Sequence, residues 1–221
     1  LSLHDVGTDV YLLDTPEAIS ARIGDNPSPY HLVPKLILDF DTLGEVVRDK
    51  EVVVHLAVVS DVVQAMNSPR DAFLVTCLGT QNLLEAVRKS TVDPQLILSS
   101  SFTVYKSPPD YLPIDERHPI GPGSPYAVTK AFQDQMTAAY GEIYGLREAR
   151  LRFAAFFWPG QKDVNILRFI LKALRNEDIV IEGGEQTRDW NFVSNVVQAI
   201  LLAIWKKQLP FLTLGAEEKS L

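Results

Sequence analysis

Short runs of β-branched and apolar residues alternate along this chain with longer stretches of helical periodicity. That alternation marks β-α-β units, which build a parallel sheet with helices on both faces. Residues 9–13 read as a strand ending at Asp14, and residues 36–38 as a short strand ending at Asp39. Residues 51–56 (Glu-Val-Val-Val-His-Leu) read as a near-continuous apolar strand of the kind buried on both faces, and residues 72–89 as a helix. Residues 95–99 form the next strand, with Ser100 and Ser101 just past its carboxyl end, where open α/β sheets bind ligands.

The segment 107–125 is rich in proline, which lacks an N–H and interrupts helix and central strand alike, so a loop is expected there. Residues 126–144 then read as a helix with Gly145 at its C′ position, and residues 150–157 as a strand. Beyond Pro159 the order decays into a helix (166–175), a short strand (179–182), a Gly183-Gly184 turn, a final helix and a strand-like 211–214. The first residues resemble the tail of a helix and the last stop soon after a strand, so the sequence is expected to be an incomplete copy of a larger domain.

Composition narrows the classes. With 46% hydrophobic and 22% charged residues the chain reads as globular rather than disordered or fibrous. The net charge of −7, with Lys and Arg scattered, lacks the basic footprint of a nucleic-acid binder. Cys77 is the single cysteine and cannot form an internal disulfide; with no signal-like start, the cytoplasm is the expected compartment. The apolar stretch 196–205 contains Gln198 and falls short of the ~20 residues a membrane span needs, so it reads as a buried helix. His4, His31, His55 and His118 have no metal-ligand spacing, and no metal is expected. His55 reads as a satisfied core residue and Cys77 as helix packing.

The chemistry centres on Tyr126 and Lys130, four apart in Tyr-Ala-Val-Thr-Lys and hence on one helix face. A phenol with a pKa near ~10 is a poor base at neutral pH, and a nearby ammonium favours its phenolate. Such a pair occurs by chance on many helices; its neighbours make it specific. They are Ser-Ser-Ser-Phe-Thr-Val-Tyr over 99–105, Ser124-Pro125, Leu151-Arg152-Phe153 and Trp158-Pro159-Gly160-Gln161. His55-Leu56-Ala57, Gly79-Thr80 with Asn82-Leu83-Leu84-Glu85-Ala86, and Gln186-Thr187-Arg188-Asp189-Trp190 complete the set. In this order, over nearly the whole chain, they resemble the NAD-dependent epimerase/dehydratase family of extended short-chain dehydrogenases, closest to nucleotide-sugar 4-epimerases.

The resemblance implies an α/β fold: a Rossmann-type doubly wound parallel sheet with a small C-terminal substrate-binding region. Residues 1–158 would form the dinucleotide-binding domain, lacking its first strand and glycine-rich turn, and 159–221 mainly the substrate region, interwoven with the main sheet. It implies NAD as cofactor, Ser101 bonding the substrate hydroxyl or carbonyl, Tyr126 as general acid/base, and Lys130 binding the nicotinamide ribose while lowering the Tyr126 pKa. The roles suit the chemistry, since a hydride leaves a carbinol carbon only as its hydroxyl proton is taken. Asp14 would meet the adenosine ribose hydroxyls, where a carboxylate repels a 2′-phosphate and favours NAD over NADP. Asp39 and Phe40 would contact adenine, Ala57 and Phe153 the cofactor, and Arg188 a substrate diphosphate. Bland readings stand beside these: a capping serine at 101, a solvated strand-end Asp14, an Arg188–Asp189 ion pair. Relatives form homodimers through the helices carrying 79–89 and 126–144, so a homodimer is implied.

The chain also departs from the family. Ala155-Phe156-Phe157-Trp158-Pro159 stands where Asn-Val-Tyr-Gly-Pro is common, removing an asparagine that meets the nucleotide-sugar. Ser194-Asn195 replaces an acidic pair, Thr76 an asparagine and Lys106 a glycine. Phe102-Thr103 occupies the place of the Asp-Glu pair of 4,6-dehydratases, which disfavours water elimination. The expected function is nucleotide-sugar epimerisation by transient oxidation. An NAD(P)-dependent oxidoreductase on a non-nucleotide alcohol or ketone, for which Ala155 speaks, and a non-catalytic dinucleotide-binding relative remain open.

Overall fold

A computed structural model describes residues 8–23, 30–59, 62–159, 161, 165–181, 183–184, 187–206 and 211–214. The readings at His4, Gly160, Glu182 and Gln186 lie outside the described residues. Strands β1 (Tyr11–Asp14) and β2 (His31–Pro34) pair in parallel. Strands β3 (Val52–His55), β4 (Gln95–Ser101), β5 (Glu148–Phe153) and β8 (Phe211–Leu214) form a parallel sheet in the order β3-β4-β5-β8. Strands β6 (Ala155–Phe157) and β7 (Trp190–Phe192) make a further parallel pair. The helices are α1 (Pro16–Ile23), α2 (Phe40–Val47), α3 (Val62–Asn67), α4 (Pro69–Ala72), α5 (Gly79–Arg88), α6 (Pro125–Tyr144), α7 (Asn165–Leu174) and α8 (Val193–Lys206).

The sheet is covered on both faces because successive strand residues point opposite ways. Leu96 of β4 packs with Leu43, Val47, Leu83, Leu84, Val87 and Tyr140 beneath α2, α5 and α6. Its neighbour Ile97 packs with Leu151, Phe153, Val196, Ala199 and Ala203 beneath α8. The 196–205 stretch is thus a half-buried helix, with Val197, Leu202 and Trp205 exposed. Gln95 Nε2 donates to the Ala203 carbonyl at 2.9 Å, fixing α8 against the strand.

Four expected elements differ. The second strand is His31–Pro34, and residues 37 and 38 form a turn. Asp39 caps α2 through its side chain, accepting from Thr42 N at 3.1 Å, so the preceding residues turn into the helix instead of extending a strand. Residues 179–181 are not a strand; Ile179, Val180 and Ile181 are exposed and pair with none of the described strands. The single strand read over 150–157 is two, interrupted at Ala154, where the chain leaves β4 and β8 to pair with β7. The helix read over 72–89 begins earlier, at Pro69, and passes through a π-helical turn at Phe73–Leu78 before α5.

Helix α6 is set by its ends. Ser124 caps it, its Oγ accepting from Ala127 N at 3.2 Å, and Pro125 occupies the first turn, where a missing N–H costs nothing. Gly145 ends it in the left-handed region, φ 72°.

Candidate active site

Strand β4 delivers Ser101 and α6 delivers Tyr126 and Lys130 to the same end of the sheet. Ser101 Oγ accepts from Thr103 N at 3.3 Å and from Thr103 Oγ1 at 2.9 Å, capping the short 3-10 turn Phe102–Val104. The capping reading therefore holds, and it leaves the Ser101 proton as the hydroxyl's one remaining donor for another partner. Burial pushes the Tyr126 phenol above its ordinary value, and a hydrogen bond with Ser101 pulls it partly back. Ser101 and Tyr126 are thus adjacent.

Lys130 is placed differently from the implied role. The residue is 3% exposed, and its ammonium donates to the Ser99 carbonyl at 2.6 Å and to Gln133 Oε1 at 2.7 Å. It makes no hydrogen bond to Tyr126 among the described residues and does not figure among the causes of the phenol's shift. Burial pushes the ammonium down to about 7, opposed by the charge of Asp134. Gln133, fully buried, spans from Lys130 to β3 and α5: its Nε2 donates to Thr80 Oγ1 at 2.7 Å and to the Ala57 carbonyl at 3.3 Å. His55 Nε2 lies 2.8 Å from the same Thr80 Oγ1, and burial first, then the charge of Lys130, depress its pKa to about 3. His55 is the satisfied core residue its strand context indicates.

Behind the site, Asp134 is fully buried and accepts from Arg152 Nη2 at 2.8 Å, Arg152 Nε at 3.0 Å, Arg150 Nη1 at 3.1 Å and Ser100 Oγ at 2.6 Å. Burial alone would raise its carboxyl, but the bonds from Arg152 and Ser100 and the two arginine charges bring it below the ordinary value. This cluster clamps α6 onto β4 and β5, and with it the register of Tyr126 and Lys130.

Other expected residues fall at a distance from this group. Asp14 closes β1 and accepts from Thr15 N at 2.8 Å. Asp39 is committed to capping α2 and to Lys35 at 3.3 Å; Phe40 is exposed beneath Lys89, whose ammonium stands 5.2 Å from the ring centroid. Ala57 follows β3, its carbonyl held by Gln133. Phe153 is buried at the carboxyl end of β5, edge-on to Phe156. It lines a small cleft with Ala154, Asn191, Asn195 and Val196. Arg188 is exposed and donates to the Thr187 carbonyl at 2.8 Å; no ion pair with Asp189 is among its contacts with the described residues. Cys77 is buried, which raises its thiol to about 11. Sequence reading named Thr80 and Thr103 only as parts of motifs, without their bonding roles, and missed Gln133. The only local signal was the i, i+3 spacing of Lys130 and Gln133.

Among the described residues no group of three His, Cys, Asp or Glu is placed to hold a metal ion, and no helix is long and apolar enough to cross a membrane. Residues 2–210 match the model of the NAD dependent epimerase/dehydratase family. The chain is 31% identical over 198 residues to a UDP-glucose 4-epimerase of Mycolicibacterium smegmatis, covering 86% of this chain and 63% of that protein. Among solved structures it resembles a Thermotoga maritima UDP-glucose 4-epimerase with UDP-glucose: TM-score 0.85, 25% identity, 97% of this chain and 71% of that one. It also resembles a Thermus thermophilus UDP-glucose 4-epimerase complexed with NAD: TM-score 0.82, 27% identity, 98% of this chain and 72% of that one. The chain spans less than two thirds of the length of the first curated relatives it matches.

Proposed function

The chain belongs to the NAD-dependent epimerase/dehydratase family, and from that premise we propose that it epimerises a nucleotide-linked sugar by transient oxidation of a hydroxyl carbon. The observation that carries this reading is the convergence of Ser101, Tyr126 and Lys130 at the carboxyl ends of adjacent parallel strands. NAD, when bound, accepts and returns the carbinol hydride. Small side chains at Ala57 and Ser101 suit the approach of a flat ring, and the Lys130 N–H not used on Ser99 or Gln133 suits a ribose hydroxyl. Asp14, at the end of β1, suits the adenosine ribose.

In this reading Ser101 turns its proton from Tyr126 to the substrate oxygen, and Tyr126, as the phenolate, takes the carbinol proton and returns it. Burial raises the phenol's pKa, so the neutral form serves the acid half of the cycle, and the base half requires the phenolate, which a nearby positive charge favours. Lys130 fixes the ribose and adds positive charge near the site. Thr103, where a dehydratase would carry a carboxylate, is bound to Ser101 Oγ, which speaks for epimerisation over water loss. Arg188, exposed ahead of β7, is the candidate for the substrate diphosphate. Residues 159–221 form the substrate side in this reading. Exposed apolar side chains on α3, on the π-helical turn and on α6 support a homodimer.

The test uses full-length protein with UDP-glucose and other UDP-hexoses. Interconversion of two epimers without net NADH, lost by ~10²–10⁴-fold in Tyr126→Phe while NAD binding persists, is the expected result. Steady NADH accumulation on a simple alcohol would overturn it in favour of an oxidoreductase.

A further inference from the structure

The Lys130 ammonium is bound by two neutral oxygens, and one of them belongs to a side chain held from four directions. Lysine only donates, so the Gln133 amide oxygen must face it and Nε2 must face the other way. The two Nε2 protons are then used on Thr80 Oγ1 and the Ala57 carbonyl. Thr80 gives its own proton to the Thr76 carbonyl at 2.5 Å. His55 Nε2 completes the cluster, 2.8 Å from Thr80 Oγ1 and 3.2 Å from Gln133 Nε2. The amide cannot flip without breaking its bonds to Lys130, Thr80 and Ala57.

We propose that Gln133 is the positioning residue for Lys130: its amide oxygen fixes the ammonium beneath the carboxyl end of β4. Because that oxygen is neutral, the ammonium is left as a charge that no carboxylate touches. The groups around it bear this out. Tyr126 and Asp134 lie on the same helix, and the Asp134 carboxylate is occupied by Arg150, Arg152 and Ser100. β3 presents neutral His55; β4 presents Ser99, α5 Thr80 and the π-helical turn Thr76, none of them titratable in the working range. The pKa depressed to about 7 is the consequence of that environment. A glutamate at 133 would hold the lysine charged throughout; glutamine leaves its charge responsive to whatever binds above it. The link from this charge to cofactor ribose rests on the proposed function, whereas the Gln133–Lys130 coupling does not.

The experiment labels the full-length protein with ¹³Cε-lysine, assigns the Lys130 resonance with Lys130→Arg, and titrates it in wild type, Gln133→Glu and Gln133→Met. The wild-type midpoint is expected near neutrality. Gln133→Glu should raise it by about 1 to 3 pH units through the new opposite charge, and Gln133→Met should lower it by removing an acceptor. Opposite shifts in two variants that both lose thermal stability separate positioning from mere packing. If Gln133→Met does not fold, the upward shift in Gln133→Glu still decides. A wild-type lysine charged to pH 10, or a midpoint unmoved by Gln133→Glu, overturns the inference. NAD binding is followed in parallel: wild-type protein that binds no NAD yet shows these shifts upholds the Gln133 role and counts against the cofactor reading.

Discussion

At the residue scale, the buried charges near the site make stability depend on pH with a definite sign. Lys130 has a folded pKa of about 7, against ~10.4 in an unfolded chain. Between these values the unfolded state holds the proton more firmly, so stability rises as pH rises through the window. Cys77 acts the other way above pH 9, because its thiol is raised to about 11 and the unfolded chain ionises first. The clean window is therefore pH 7 to 9. Urea unfolding there should show wild type gaining up to about 1.4 kcal/mol per pH unit relative to Lys130→Met, whose curve lacks this contribution. Parallel curves for the two proteins would show that Lys130 is not depressed. The Tyr126–Lys130 spacing was legible in sequence, because four residues on a helix fix a shared face. The direction of the ammonium was not, because it is set by Ser99 and Gln133, and Gln133 in turn by Thr80 and His55, the last of these 78 residues from Gln133.

At the element scale, Gly79 opens α5 under a packing constraint rather than a conformational one. A Cβ at this position would lie 2.6 Å from Ile37 Cγ2, in the turn that feeds α2. Alanine favours a helix over glycine by about 1 kcal/mol, but overpacking a core costs about 1 to 3 kcal/mol. Gly79→Ala is thus expected to destabilise in the wild-type background. In Ile37→Ala, where the obstructing side chain is gone, the same substitution should become neutral or stabilising. A double-mutant cycle read by urea unfolding checks this; equal costs in both backgrounds would exclude the Ile37 contact as the cause. Sequence periodicity recovered most elements and few of their ends. The break at Ala154 was hidden because an apolar run continues through it while the hydrogen-bonding partner changes from β4 and β8 to β7. Residues 37 and 38 were read as strand because Ile37 is apolar and buried, yet it is a turn residue buried against Gly79.

At the scale of the whole molecule, the parallel sheet and the helices on both its faces were legible from alternating β and α patterns, whereas the strand order and the surface were not. Val63 and Met66 on α3, Phe73 on the π-helical turn, and Val128 and Ile143 on α6 are large apolar side chains left exposed. These segments pack on one another: α3, α4 and the π-helical turn all lie against α6, and Phe73 meets Phe132 at 6.5 Å between ring centroids. Val128 stands two residues from Tyr126, so an interface built on it would brace the helix that carries the proposed acid/base and cap the exposed side of a segment clamped inside by Asp134. Burying such side chains contributes about 25 cal/mol per Å² of apolar area, less the cost of association. A charge placed among them removes that gain and leaves the fold of the single chain intact. Sedimentation velocity at micromolar concentration should therefore show a dimer for full-length wild type and a monomer for Val128→Glu, with unchanged circular dichroism. A wild-type monomer, or a Val128→Glu dimer, would place the contact elsewhere or deny it, and the exposed residues of α3 and α6 would then call for a different partner.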